Sequence, residues 1–153
     1  MAMNRPTLKV LFQIAVVLAA IAIFTGVSSA SLMLRKPSVD IFAAQGDISY
    51  GEVILDNVSD KPLHIKASFA GDADCSSWVR LESEEFVIPA GSSRSLKIIA
   101  DVPYDISGDH STAVVYSYQA GQLQGPDDLI LNIKMHIEMA VNVHVAGTFQ
   151  AAN

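Results

Sequence analysis

The residues in this chain of 153 best suited to metal binding or proton transfer are four histidines, His64, His110, His136 and His144. His136 and His144 fall on one face of an alternating run, but eight residues of extended chain hold them about 27 Å apart. One metal cannot bridge that gap. His64 and His110 stand alone, and nothing resembles HExxH or a Cys/His zinc spacing, so solvated or hydrogen-bonded side chains are expected. Asp101, Asp105 and Asp109 recur around VPYDISGD, and with Asp127 and Asp128 they would make an oxygen-rich end of a β-sandwich. Calcium or a carbohydrate would suit such loops, although the DxDxDG order of a tight calcium loop is missing. Glu84 and Glu85 are adjacent, so on a strand they point to opposite faces and cannot flank one bond. There is no GxSxG elbow. Cys75 has Asp72 and Asp74 beside it, neighbours that hold a thiol protonated. The expectation is a protein that is not an enzyme, with no cofactor and no metal.

The elements that carry these residues read as strands. From Leu129 to Val145, in LILNIKMHIEMAVNVHV, every odd position is Leu, Ile, Met or Val, while the even positions after Ile130 are mostly polar. A period of two marks a strand with one buried face. Strands usually stop near ten residues, so a bulge or break is expected close to Ala140, with Leu129–Glu138 as one part and Val141–Val145 as another. Upstream, turn formers recur every eight to twelve residues. The spacing predicts strands over Ser38–Phe42, Asp47–Asp56, Leu63–Phe69, Trp78–Leu81 with Phe86–Ile88, Arg94–Asp101 and Ser111–Tyr118. That makes an all-β, seven-stranded immunoglobulin-like sandwich. Trp78 is expected between the sheets. Gln119–Asp128, QAGQLQGPDD, is the longest stretch without a pattern and reads as a mobile surface loop.

The N-terminus differs from the rest. Arg5 and Lys9 precede the apolar run Val10–Phe24, and Ser28 and Ala30 follow at the spacing of an export cleavage site. Residues 1–30 are expected to be a signal peptide removed after Ala30, or a membrane anchor if uncleaved. The sandwich would occupy residues 31–153. It holds eight basic and sixteen acidic residues, a net charge of −8, which excludes the basic footprint of a nucleic-acid binder. Cys75 is the only cysteine, so no intrachain disulfide can form and the core must hold the fold.

Two segments carry a resemblance. SLMLRKPSVDIFAAQGDISYGEVILDNVSDKPLHIKASF is similar to the opening of PapD-like periplasmic pilus-assembly chaperones, with a strand after Pro37 and another ending in Asn57 before a polar turn. WVRLESEEFVIPAGSSRSLKIIADVPYDISGDHSTAVVYSYQ resembles the second half of the same domain, through Phe86–Pro89, Gly91–Ser93, Val102–Pro103 and Gly108–Asp109. In that family the last strand of the first domain lends alternating hydrophobic residues to an incomplete pilin subunit. The resemblance implies a single-domain relative in which Ile133, Met135, Ile137 and Met139 do the lending. It also implies a basic pair for the subunit's terminal carboxylate, with Lys134 on the last strand and Arg35 or Lys36 standing in near the first.

The function expected is therefore an exported, PapD-like assembly or interaction module that binds a partner protein, such as a pilin-like subunit, by strand addition. Its partner-binding residues would be Ile133, Lys134, Met135, Ile137 and Met139. A stand-alone structural or polymerising envelope subunit is the first alternative, and a calcium- or carbohydrate-binding accessory domain is the second. Oligomers are compatible with either of the first two.

Overall fold

A computed structural model of the chain describes residues 31–71 and 74–147, with positions 9, 10 and 13. The expected export segment thus lies largely outside the described residues. Among these, nine strands run in chain order: β1 (Leu32–Leu34), β2 (Ser38–Ala44), β3 (Ile48–Asn57), β4 (Leu63–Phe69), β5 (Val79–Leu81), β6 (Glu85–Ile88), β7 (Ser93–Asp101), β8 (Gly108–Gln124) and β9 (Ile130–Ala146). They form two sheets, ordered β1-β3-β7-β5 and β2-β9-β8-β4-β6. The seven strands of an immunoglobulin-like sandwich become nine because two edge strands divide between the sheets. One edge strand switches sheets between β1 and β2, and the other between β5 and β6.

Alternation builds the core. Val53 and Leu55 on β3, Leu63 and Ile65 on β4, Leu96 and Ile98 on β7, Val114 and Tyr116 on β8, and Val141 and Val143 on β9 are all buried. Complete burial of each aliphatic side chain contributes about 1.5–3 kcal/mol before the entropy of ordering it. Trp78 is buried with them, as expected, and Cys75 is fully enclosed. Burial also pushes the Tyr116 phenol up to about 12.

One polar side chain organises an end of the sandwich. Asn57 is 1 % exposed, and its Nδ2 donates to the carbonyls of Lys61, Ile88 and Pro89 at 2.8, 3.0 and 3.2 Å. Its Oδ1 accepts from the Ser59 amide at 3.0 Å and from Ser59 Oγ at 2.6 Å. The turn after β3 and the turn before β7 are thereby tied to one amide.

The crossing to β2 depends on a glycine. A Cβ at Gly51 would stand 2.5 Å from Val39 Cγ2 and 3.0 Å from Ile41 Cγ1, so β2 lies directly over β3 there. That close approach seats β2 against β9 in parallel, from Ser38 opposite Ala140 to Ala44 opposite Ala146.

Two expectations are corrected by β8 and β9. Gln119–Asp128 is not one long loop: β8 continues to Gln124, and the connection shrinks to a short turn that includes Pro126–Asp128. β9 does not break at Ala140 but runs unbroken from Ile130 to Ala146. The irregularity falls on its partner, where the register shifts between Gln119 and Gly121 and leaves Ala120 as the extra residue. Small residues accept a bulge cheaply, and this one lies opposite Lys134 and Ile133.

Candidate partner-binding edge

β8 and β9 pair antiparallel along their whole length, but the rest of the sandwich does not accompany them. β2 joins β9 only from Ala140 onward, and β4 pairs β8 only from Val114 to Tyr118. The hairpin therefore outruns the body as an arm, with β9 open along one side from Ile130 to Met139. Its turn is closed by the Gly125 amide donating to the Leu129 carbonyl at 2.7 Å, and Asp127 and Asp128 take left-handed backbone there. Short Asx side chains tolerate that conformation better than most.

The inward face of β9 changes character along its length. Val141, Val143 and Val145 are buried, and Met139 is 1 % exposed, so Met139 belongs to the home core rather than standing ready for a partner. Ile137 and Ile133 are half-buried against that core. Met135 is 44 % exposed, and Leu131, Leu129 and Leu123 of the tip are exposed as well. Leu123 lies opposite Leu131 and Met135 opposite Tyr118, so both strands feed one apolar stripe. Of the five residues expected to bind a partner, the structure sets all on the part of β9 that ends where β2 begins.

The outward face is polar. Asn132 Oδ1 accepts from Gln119 Nε2 at 3.2 Å and from Gln122 Nε2 at 2.9 Å, and Ser117 Oγ meets His136 Nδ1 at 3.0 Å. Lys134, Lys66, His64, Ser117, Tyr118 and Gln119 line a depression of about 240 Å³ on this side. Arg35 and Lys36 are elsewhere, lining a cleft of about 390 Å³ beside Met139, Val39 and Val53. Arg35 is further committed to Asp56, through Nε at 2.9 Å and Nη2 at 3.0 Å. Hydrogen bonds from Arg35 and Ser93 hold the Asp56 carboxyl below the usual carboxylate range. The basic pair suggested by the resemblance is thus split between two depressions.

Chemistry-bearing residues gather little. Asp109 lies at the start of β8 and Asp127 beyond its end, so about 50 Å of strand separates acids that the calcium-binding alternative would have gathered at one end of the sandwich. Among the described residues no cluster of three or more His, Cys, Asp or Glu is placed to hold a metal ion. The sequence reading missed one constellation. His144 Nδ1 meets Asp109 Oδ1 at 2.8 Å and its Nε2 meets Asp40 Oδ1 at 3.1 Å, while the ring stacks on Phe42 with centroids 4.8 Å apart. The bonds to Asp109 and then Asp40 raise the imidazole above its ordinary value. The parallel β2–β9 register brings Asp40 and Phe42 to His144, the antiparallel β8–β9 register brings Asp109, and no local spacing announces the set.

No family model matches the chain, and no curated sequence matches it. Solved structures do, and they show the fold to be PapD-like. A PapD-like domain of human CEP192 superposes with a TM-score of 0.62 at 13 % identity, over 80 % of this chain and 89 % of that one. A chaperone–tip adhesion subunit pre-assembly complex from archaic chaperone-usher Csu pili of Acinetobacter baumannii gives 0.56 at 11 % identity, over 76 % and 57 %. A family 123 glycoside hydrolase from Clostridium perfringens gives 0.55 at 10 % identity, over 80 % of this chain and only 28 % of the enzyme. The chain spans little more than half of the chaperone-complex chain it matches.

Proposed function

We propose that this chain is an exported, non-enzymatic assembly or interaction module that binds a protein partner by strand addition along β9. The observation that carries the reading is the open edge of β9 from Ile130 to Met139, backed by an apolar stripe that fades from buried to exposed. A strand laid on that edge gains main-chain hydrogen bonds for affinity, and the alternating side chains of Ile133, Met135 and Ile137 supply selection. Likeness to a structure described as a chaperone–subunit pre-assembly complex supports a protein as the partner. The N-terminal apolar run with its basic flank supports export, with the domain in the periplasm or cell envelope.

The test is a pair of substitutions, Ile133→Asp and Ile137→Asp, followed by pull-down of envelope proteins. Strand addition requires loss of the captured partner while far-UV circular dichroism stays that of the wild type. A folded variant that retains every partner defeats the proposal.

A further inference from the structure

The open part of β9 has limits on both sides. At one end Ala140 donates its amide to the Pro37 carbonyl at 3.2 Å, and β2 occupies the edge from there on. At the other end the register shift of β8 opposite Lys134 and Ile133 marks a bulge, where a hairpin bends and its twist increases. Between these limits lies Lys134-Met135-His136-Ile137-Glu138. Because the Ala140 amide points to the β2 side, and β9 itself has no bulge, alternation directs the N–H and C=O of Glu138, His136 and Lys134 to the same open edge.

That segment is complementary to itself. In an antiparallel pair centred on His136, Lys134 of each copy stands opposite Glu138 of the other, and Met135 stands opposite Ile137. The outward face then matches opposite charges, and the inward face joins the two apolar stripes. Lys134 and Glu138 are exposed, and among the described residues neither forms an ion pair at home. Three residues per copy, each with one donor and one acceptor, give about six main-chain hydrogen bonds across the junction. Past the bulge, each tip must bend away from the partner's β2, which begins opposite Ala140.

We propose that a second copy of this chain occupies the edge, pairing β9 with β9 about a two-fold axis at His136 to make one ten-stranded sheet. The inference rests on the strand-addition reading and names its partner. An isologous contact of this kind closes on itself, so the assembly stops at two copies.

The experiment is sedimentation of the full chain in detergent, wild type against Lys134→Glu and Glu138→Lys. Each variant alone sets two pairs of like charges opposite one another and should self-associate about tenfold or more weakly than the wild type. Mixing the two restores both opposite-charge pairs, so the mixture should dimerise where neither component does. His136→Cys gives a second readout: directly opposed residues lie within disulfide range, and enclosed Cys75 does not compete. Oxidation should yield a covalent dimer. A wild type that stays monomeric, variants that self-associate like the wild type, or a mixture that shows no gain would each overturn self-pairing. Should the wild type be monomeric while Ile133→Asp still loses a captured protein, strand addition stands and only the second copy is removed.

Discussion

Two side chains carry much of the fold's polar chemistry. Asn57 satisfies two turns at once, so Asn57→Ala removes its bonds to the buried Ile88 carbonyl, to the Lys61 and Pro89 carbonyls and to the Ser59 amide together, while Ser59 Oγ keeps only the Lys61 carbonyl. We expect a loss of about 2–4 kcal/mol, measured by urea denaturation, with an unchanged slope if only the folded state is affected. His144 sets a pH dependence. Its folded value lies above its ordinary one, so the stability it contributes is complete below the ordinary histidine range and disappears as pH rises through the folded value. Thermal melts should therefore lose stability from near neutral pH upward, and His144→Gln should remove that slope. A variant that keeps the slope would place its origin elsewhere. The sequence showed Asn57 as the end of a strand and His144 as one more polar position. Neither role is visible until strands distant in the chain are brought together.

At the scale of elements, strands buried on one face were legible and the pairing between distant ones was not. β3, β4 and β7 announce themselves through apolar residues at alternate positions, Val53 and Leu55, Leu63 and Ile65, Leu96 and Ile98, and each falls within a few residues of its expected bounds. Residues 119–124 read as a loop because AGQLQ lacks β-branched and aromatic side chains. They are extended because β9 opposite them supplies a long, strongly patterned template. The bulge follows the same logic: the expected bend was needed, but Ala120 and Gly121 accept it more cheaply than the continuous apolar alternation of β9 does. Hydrogen exchange should record the difference, with amides of 141–145 slow and those of 131–135 directed to the open edge fast. Gly51→Val tests the seat of β2. The added side chain must displace Val39 and Ile41, which should cost about 1–3 kcal/mol and speed exchange along 140–146. Exchange that stays unchanged would show β2 to be held by other contacts.

Taken whole, the molecule is a sandwich in which the two halves of one long hairpin strand differ in how they are covered. The half of β9 beyond Met139 is sealed by β2, β8 and the core, while the half before it has a neighbour on one side only. Exposed edges invite indiscriminate pairing, and proteins commonly blunt them with charge. Lys134 and Glu138 have that effect here, and their spacing admits a strand of matching charge. The fold was readable because sandwich patterning is spread over the whole chain. The candidate site was readable only as a run too long for its own sheet, since where β2 begins and where the hairpin bulges are decided by contacts the sequence does not spell out.

The parallel seating of β2 on β9 also has a mechanical consequence. A tension applied at residue 31 and residue 147 first peels the three residues of β1 from β3, and then draws β2 and β9 past each other along their length. Seven register pairs resist together, because sliding parallel strands loads every rung at once instead of one after another. Single-molecule stretching between those two points should meet a single high force peak. Pulling between residue 108 and residue 147, which lie side by side at the open end of the hairpin, should instead open β8 from β9 rung by rung at low force.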